Sequence, residues 1–532
     1  MLRINEIKLP LNSDENGLRA AAARELRIDA EQILSLHIRK KAVDARRKDN
    51  IRFTYCVDVE VAAEGKVLKK CRSKKVAAAK NEEYQLPMPT STPAHRPVVV
   101  GMGPAGLLCG LMLAEAGMRP ILLERGESVD DRKKTVEEFW RSGRLNPRSN
   151  VQFGQGGAGT FSDGKLTTNT KDKRNRKVLQ EFVAAGAPSE ILYLAKPHIG
   201  TDLLIDVVRR LGEKIESLGG ELRFNSRVAE LLQTDGKVKG VVVEAAAGSD
   251  IERYNINSDD VVLAIGHSAR DTFRMLYDGG VPMAAKPFSV GARIEHLQRD
   301  IDRSQYGGFA GHPSLGAADY KLSCHLKGGR SVYTFCMCPG GAVVNASSEE
   351  GAVVTNGMSL HARGDKNANA AVLVGVTPDD FPSDHPLAGV EFQRRIEQAA
   401  YEAGGGEYAA ICQKVGDFLV DESTAATGKV SPSFLPKVKL GRIDDCLPSF
   451  VTAAMREGLQ VFGQKLAAFA DGEAVLTAPE TRSSSPVRIL RGEDYRSECG
   501  VYPCGEGAGY AGGIMSAAAD GIRVAEAIIK KY

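Results

Sequence analysis

RPVVVGMGPAGLLCGLMLAEAGMRPILLERG, residues Arg96–Gly126, decides the fold. An apolar run, Val98–Val100, leads into Gly101, Gly103 and Gly106; a helix-forming apolar stretch follows, and a second apolar run ends at the acidic Glu124. Each part has a task in holding a dinucleotide. Gly101 permits the tight turn, Gly103 lets backbone approach a pyrophosphate, Gly106 lets helix and strand pack closely, and the helix N-terminus faces the phosphate charge. Glu124, 18 residues beyond Gly106, is placed to accept hydrogen bonds from a ribose and disfavours a 2′-phosphate.

The three-glycine spacing alone is weak evidence, because it recurs at Gly154, Gly156, Gly159 and at Gly507, Gly509, Gly512. The first recurrence runs into polar TFSDGKLTTN, and the second has 20 residues of chain left. Neither can open a strand–helix–strand unit.

Outward from this stretch, 532 residues call for about three domains. Residues 1–90 read as a small, basic βαββ domain, with strands at Arg3–Lys8, Ile33–Arg39 and Ile51–Val61 and a helix at Gly17–Leu26. The Pro-marked stretch Leu86–Pro97 has the composition of a linker. Residues 97–285 form the first part of the dinucleotide domain, including strand-like Glu221–Leu232, Lys237–Ala245 and Asp259–Gly266. Residues 286–480, rich in Gly-containing apolar strands and one helical stretch at Glu391–Ala403, read as an α+β cap or substrate domain. Residues 481–532 return to close the dinucleotide fold.

Apolar residues at 43% and charged residues at 26% suit a globular protein and exclude a disordered or fibrous one. The net charge of +3 demands no polyanionic partner. The opening MLRINEIKLP has no apolar core of a secretory signal, and no run of about 18 apolar residues occurs. Ten scattered cysteines fit a reducing, cytoplasmic setting, and without zinc-type CxxC pairs no metal site is expected.

Four features together resemble the two-motif FAD domain of the glutathione-reductase-like flavoproteins: PAG at Pro104–Gly106, LERG at Leu123–Gly126, VVLAIGHSARDT at Val261–Thr272, and VYPCGEGAGYAGGIMSAAADGIRVAEAI near the C-terminus. More narrowly, GQGGAGTFSDGKLTT, FSVGARIEH, CMCPGGAVVNASSE and TNGMSLHAR resemble a bacterial family of FAD-dependent dehydrogenases whose substrates are undefined. The resemblance implies an α/β fold: a Rossmann-like FAD-binding domain with an inserted α+β cap and the small N-terminal βαββ domain. It implies FAD held by Gly101, Gly103, Pro104, Ala105, Gly106, Glu124, Arg125, Gly157, Lys165, Val228, Ala264, Gly266, Gly505, Glu506, Gly512, Gly513 and Ile514. Glu506 stands where such proteins usually have Asp, and would bind the ribityl chain. Val228 would offer backbone to the adenine, or belong to an ordinary alternating strand.

Three residues are candidates beside the reacting flavin. Lys165 ends a loop with five glycines and could stabilise anionic reduced flavin, or be a solvated lysine. His267 follows the Ala264–Gly266 turn as a general acid or a structural histidine. Arg293, on one strand face with Glu295, suits an anionic substrate or a surface ion pair; His296 follows. Cys336 and Cys338 share a strand face by alternation and are poorly disposed to form a disulfide; Cys499 and Cys504 raise a thiol reading more weakly. No second fingerprint marks a resident NAD(P) domain, so NAD(P)H would dock transiently.

The expectation is therefore an FAD-dependent oxidoreductase acting on a small, anionic organic substrate. The alternative is a flavin-binding RNA-associated or regulatory protein using the basic N-terminal domain and its run Ile38–Asn50, with Arg46, Arg47 and Lys48, although no aromatic interleaves that charge.

Overall fold

Val98–Val100 is buried because it is the middle strand of a five-stranded parallel sheet. The order is Tyr502–Pro503, Val261–Leu263, Val98–Val100, Ile121–Leu123, Glu221–Arg223. A strand covered on both faces needs an unbroken apolar run, which three valines supply. The computed structural model describes the chain except residues 81–82, 169 and 248–249.

Helix Pro104–Glu115 follows the glycine turn and is apolar almost all round. It packs against the C-terminal helix Ile514–Lys531 so closely that a Cβ on Gly521 would lie 2.1 Å from the Ala105 carbonyl oxygen. The end of the chain is thereby built into the nucleotide fold, and its last strand pairs with Val261–Leu263. The Leu86–Pro97 stretch adds a lock, with Thr90 and Ser91 amides donating to the Tyr532 carbonyl at 2.9 and 2.7 Å.

The segment Glu221–Leu232, read as one strand, is two. Asn225 has φ +51, which breaks the extended run, so Glu221–Arg223 joins the parallel sheet while Ser226–Thr234 enters an antiparallel sheet with Lys237–Ala247 and Asp250–Asn257.

Between Phe288 and Glu480 a seven-stranded sheet dominates, in the order Ser323–His325, Ser331–Cys338, Asn367–Val376, Phe288–Leu297, Val475–Glu480, Ala410–Lys414, Val438–Leu440. Helices Ala388–Gly404 and Ser449–Lys465 pack on it. The N-terminal sheet, Ile33–Asp44, Arg52–Val61, Leu2–Pro10 and Val76–Ala78, shares one continuous apolar core with it. Phe53, Tyr55, Val57 and Val59 alternate into that core. Among the described residues no helix is long and apolar enough to cross a membrane.

Candidate active site

The amino ends of two helices open into one cavity of about 830 Å³, which continues from the nucleotide sheet onto the seven-stranded sheet. Gly103 caps helix Pro104–Glu115 and Gly513 caps helix Ile514–Lys531, neither with a side chain over the free amides. Such amides favour negative charge.

The turn is built by close approach. Gly101 has φ +99, and a Cβ there would sit 2.4 Å from the Ala264 carbonyl oxygen; a Cβ on Gly106 would sit 1.9 Å from that of Gly101. Glu124 braces the turn from below. Its carboxylate accepts from the Met102 amide at 2.9 Å and from the Gly126 and Gly154 amides at 3.0 Å each. It therefore holds the loop as well as facing the cavity.

Of the residues assigned to FAD, Gly101, Gly103, Pro104, Ala105, Glu124, Arg125, Gly157, Lys165, Val228, Ala264, Gly266, Glu506, Gly512, Gly513 and Ile514 line the cavity. Gly106 and Gly505 do not. Gly106 supplies the helix contact, and the Gly505 amide donates to Asp520 at 2.8 Å. Val228 sits beside a register shift in its strand. Arg125 pairs with Asp271 through two bonds of 2.7 and 3.0 Å and lies over the Phe153 ring, while its buried Nε has no partner among the described residues. Burial pushes the Glu506 carboxyl up to about 7 against the pull of Lys286.

The donor set fits FAD. Open space stands over Gly266, Gly512 and Gly513, where a Cβ would meet nothing within 4 Å. Two uncapped helix ends face a cavity of ligand size, and Arg125 is among the residues that line it.

The three candidate reacting residues separate. Lys165 lines the cavity, 3.5 Å from Asp163, which also takes two bonds from Arg363 at 2.9 and 2.6 Å. Burial would raise the Asp163 pKa, but Lys165 and Arg363 outweigh it and hold the carboxyl below its usual range. His267 also lines the cavity, with Nδ1 3.0 Å from Ser268 Oγ. Burial, with Arg482 and Arg270 nearby, drives it down to about 3. A ring held neutral accepts or donates a hydrogen bond, which favours the structural-histidine side of the expectation over the general acid.

Arg293 is also corrected. It does not line the cavity and is fully buried, with Nε and Nη2 on the Glu480 carboxylate at 2.6 and 2.8 Å. It positions other groups rather than meeting a substrate. Nor does it form a surface pair with Glu295, which is buried and takes hydrogen bonds from Ser433 and Asn367. The cause is that Phe288–Leu297 is a central strand covered on both faces.

Sequence reasoning missed Asn356, Arg363, Glu480, Arg482 and Ser483, all on the cavity wall. TNGMSLHAR contains two of them and was the available signal. In the basic run, Arg46 is paired with Asp44 and Arg47 with Asp49. All ten cysteines are free. Cys499 and Cys504 belong to different apolar clusters.

This architecture and cradle define an FAD-binding protein of the oxidoreductase class. A family model described as an FAD binding domain matches residues 96–269, one described as FAD-dependent protein, C-terminal domain-like matches 287–483, and a domain of unknown function matches 1–60. An uncharacterized protein of Clostridium beijerinckii is 48% identical over 535 residues, covering 100% of this chain and 99% of that one. The chain belongs to the same family of FAD-dependent proteins as that relative.

Solved structures show only distant likeness. A 3-ketosteroid-delta4-(5alpha)-dehydrogenase from Rhodococcus jostii RHA1 is 12% identical with a TM-score of 0.34, covering 84% of this chain and 99% of that one. A complex of aklavinone-11 hydroxylase with FAD and aklavinone is 14% identical with a TM-score of 0.32, covering 82% and 62%. Likeness at that level bears on neither substrate nor mechanism.

Proposed function

We propose that the protein moves a hydride equivalent between flavin N5 and a small, anionic organic substrate seated between the cofactor cradle and the seven-stranded sheet. One observation carries this reading. The cavity extends past the cradle onto Thr334–Met337; of the cations on its wall Lys196 pairs with Asp319 and Arg482 with the buried Glu397, while Lys165 and Arg363 share the single carboxylate of Asp163, which leaves positive charge over beside the cradle. An excess of cations in a recess favours an anionic ligand.

Bound FAD supplies the two-electron chemistry. The chain's own groups position and desolvate. Lys165 sets positive charge beside the cradle, and Asp163 and Arg363 fix its loop. Neutral His267 offers a hydrogen bond in place of a proton. The glutathione-reductase-like pairing of Gly101–Glu124 with Gly505–Ile514 belongs to this reading, as does transient docking of NADH or NADPH as a partner.

The test is anaerobic bleaching of the holoprotein's visible flavin absorbance by small carboxylic acids, uncharged alcohols and amines, NADH and NADPH. Bleaching by an organic acid, with at least tenfold more acid needed by Lys165→Met, supports the proposal. Bleaching by uncharged donors alone, or equal acid dependence in Lys165→Met, overturns the anionic substrate.

A further inference from the structure

The strand Ser331–Cys338 loses its regular register at its end. Phe335 stands opposite Ala371, yet Cys338 stands opposite Asn369, so three steps on one strand match two on the other. This is a β-bulge. Cys336 sits in it with φ +42, an uncommon conformation for a residue with a side chain.

The bulge corrects the expectation from alternation, which placed the two cysteines on one flat face about 6.8 Å apart along the strand, the far limit of what a disulfide spans. Instead the Cys338 thiol turns back onto the bulge and donates to the Cys336 carbonyl at 3.3 Å. Phe335, Cys336 and Met337 line the cavity, while Cys338 lies fully buried behind them. One thiol is therefore open to the cofactor cavity and its partner is screened from it.

Arg293 anchors the bulge. Its Nη1 donates to the Cys336 carbonyl at 3.1 Å and lies 3.9 Å from Cys338 Sγ, while Glu480 holds the other side of the guanidinium. The neighbouring Cys338 thiol, with Arg293 and Lys165, holds the Cys336 thiol below its usual range against burial and Glu480, while Cys338 itself is pushed up. Burial pushes Cys109, Cys412 and Cys446 the other way. A lowered thiol at an accessible, electropositive position is a reactive one.

We propose that Cys336 and Cys338 are a redox-active dithiol that exchanges an electron pair with the cofactor of this cavity, Cys336 facing the cofactor and Cys338 acting as the resolving thiol. The inference rests on flavin binding and is independent of which organic substrate is used. In the oxidising direction the two S–H bonds break and one Sγ–Sγ bond forms. Two electrons and one proton pass to oxidised flavin, and the second proton leaves to solvent. The reverse step consumes the same electrons and protons. Arg293 positions the pair without touching the cofactor.

Two measurements on the full-length holoprotein test this. Anaerobic titration with dithionite counts the reducing equivalents each protein takes up. Wild type is expected to accept two electrons per chain more than Cys336→Ser or Cys338→Ser. The second measurement needs no variant. Alkylation of unfolded protein before and after reduction, then cleavage after Arg330 and Arg363, yields a peptide carrying both thiols and no other cysteine. From oxidised holoprotein this peptide is expected two hydrogens lighter and unalkylated; from dithionite-reduced holoprotein it is expected alkylated twice. Equal electron uptake in wild type and variants, or a doubly alkylated peptide from oxidised holoprotein, overturns the proposal. If a serine variant fails to fold, the wild-type peptide decides. Failure of every organic donor to bleach the flavin would overturn the substrate reading and leave this result standing.

Discussion

Replacing Glu124 by Gln asks how far charge beneath the glycine turn prepares the cofactor site. The carboxylate is 5% exposed and receives three backbone amides, two on Oε1 and that of Met102 on Oε2. Gln keeps the size and one oxygen. With the oxygen left at Oε1, the new NH₂ faces the Met102 amide, donor against donor. Leaving a buried amide unpaired costs about 1–3 kcal/mol, and the two surviving bonds lose their charge assistance, which roughly doubles a hydrogen bond's strength. A total of about 2–4 kcal/mol therefore falls on the turn that presents Gly101 and Gly103. If about 2 kcal/mol of this appears in binding, FAD affinity drops about thirtyfold. Equilibrium titration of apoprotein with FAD, followed by flavin fluorescence, measures it, with apoprotein melting as the control for folding. A Kd within threefold of wild type, together with an unshifted melting temperature, would refute the claim that Glu124 braces the turn.

Two further outcomes follow from buried charge. Arg293→Met strands the Glu480 carboxylate, which is 4% exposed, and should cost about 3–5 kcal/mol in urea denaturation, whereas Arg293→Met combined with Glu480→Gln should recover part of the loss. No recovery in the double variant would refute the pairing argument. His296 is 2% exposed, neither ring nitrogen has a partner among the described residues, and burial holds it at about 4 against an ordinary 6.5. Its stabilising contribution is complete above pH 6.5 and is lost as pH falls toward 4, because only the unfolded chain takes up the proton in that window. His296→Leu should reduce the slope of stability against pH there by up to about 1.4 kcal/mol per pH unit, leaving the slope above pH 7 unchanged; parallel slopes for both proteins would refute this.

The sequence by itself determined the cofactor cradle, because its signals are local. A strand, a glycine turn, a helix and a terminal acid are adjacent between Val98 and Glu124, and each imposes its conformation within a few residues. The Ala264–Gly266 turn and the Gly512–Ile514 helix start were legible for the same reason, and the antiparallel N-terminal strands showed as alternation in Phe53–Val59. Tertiary structure alone decided what the charged and thiol groups do. Alternation put Arg293 and Glu295 on one face, but periodicity cannot say that this face is covered. Only the sheet order, which places Phe288–Leu297 between Asn367–Val376 and Val475–Glu480, buries Arg293 and hands it Glu480. The same limit applied to Cys336 and Cys338. A bulge arises from a mismatch between two strands, which neither strand's sequence records, and it set Cys336 on the cavity wall with the Cys338 thiol behind it, turned onto the Cys336 carbonyl. Local conformation is set by nearest neighbours along the chain; the protonation and pairing of a buried group are set by neighbours that the fold brings from far away.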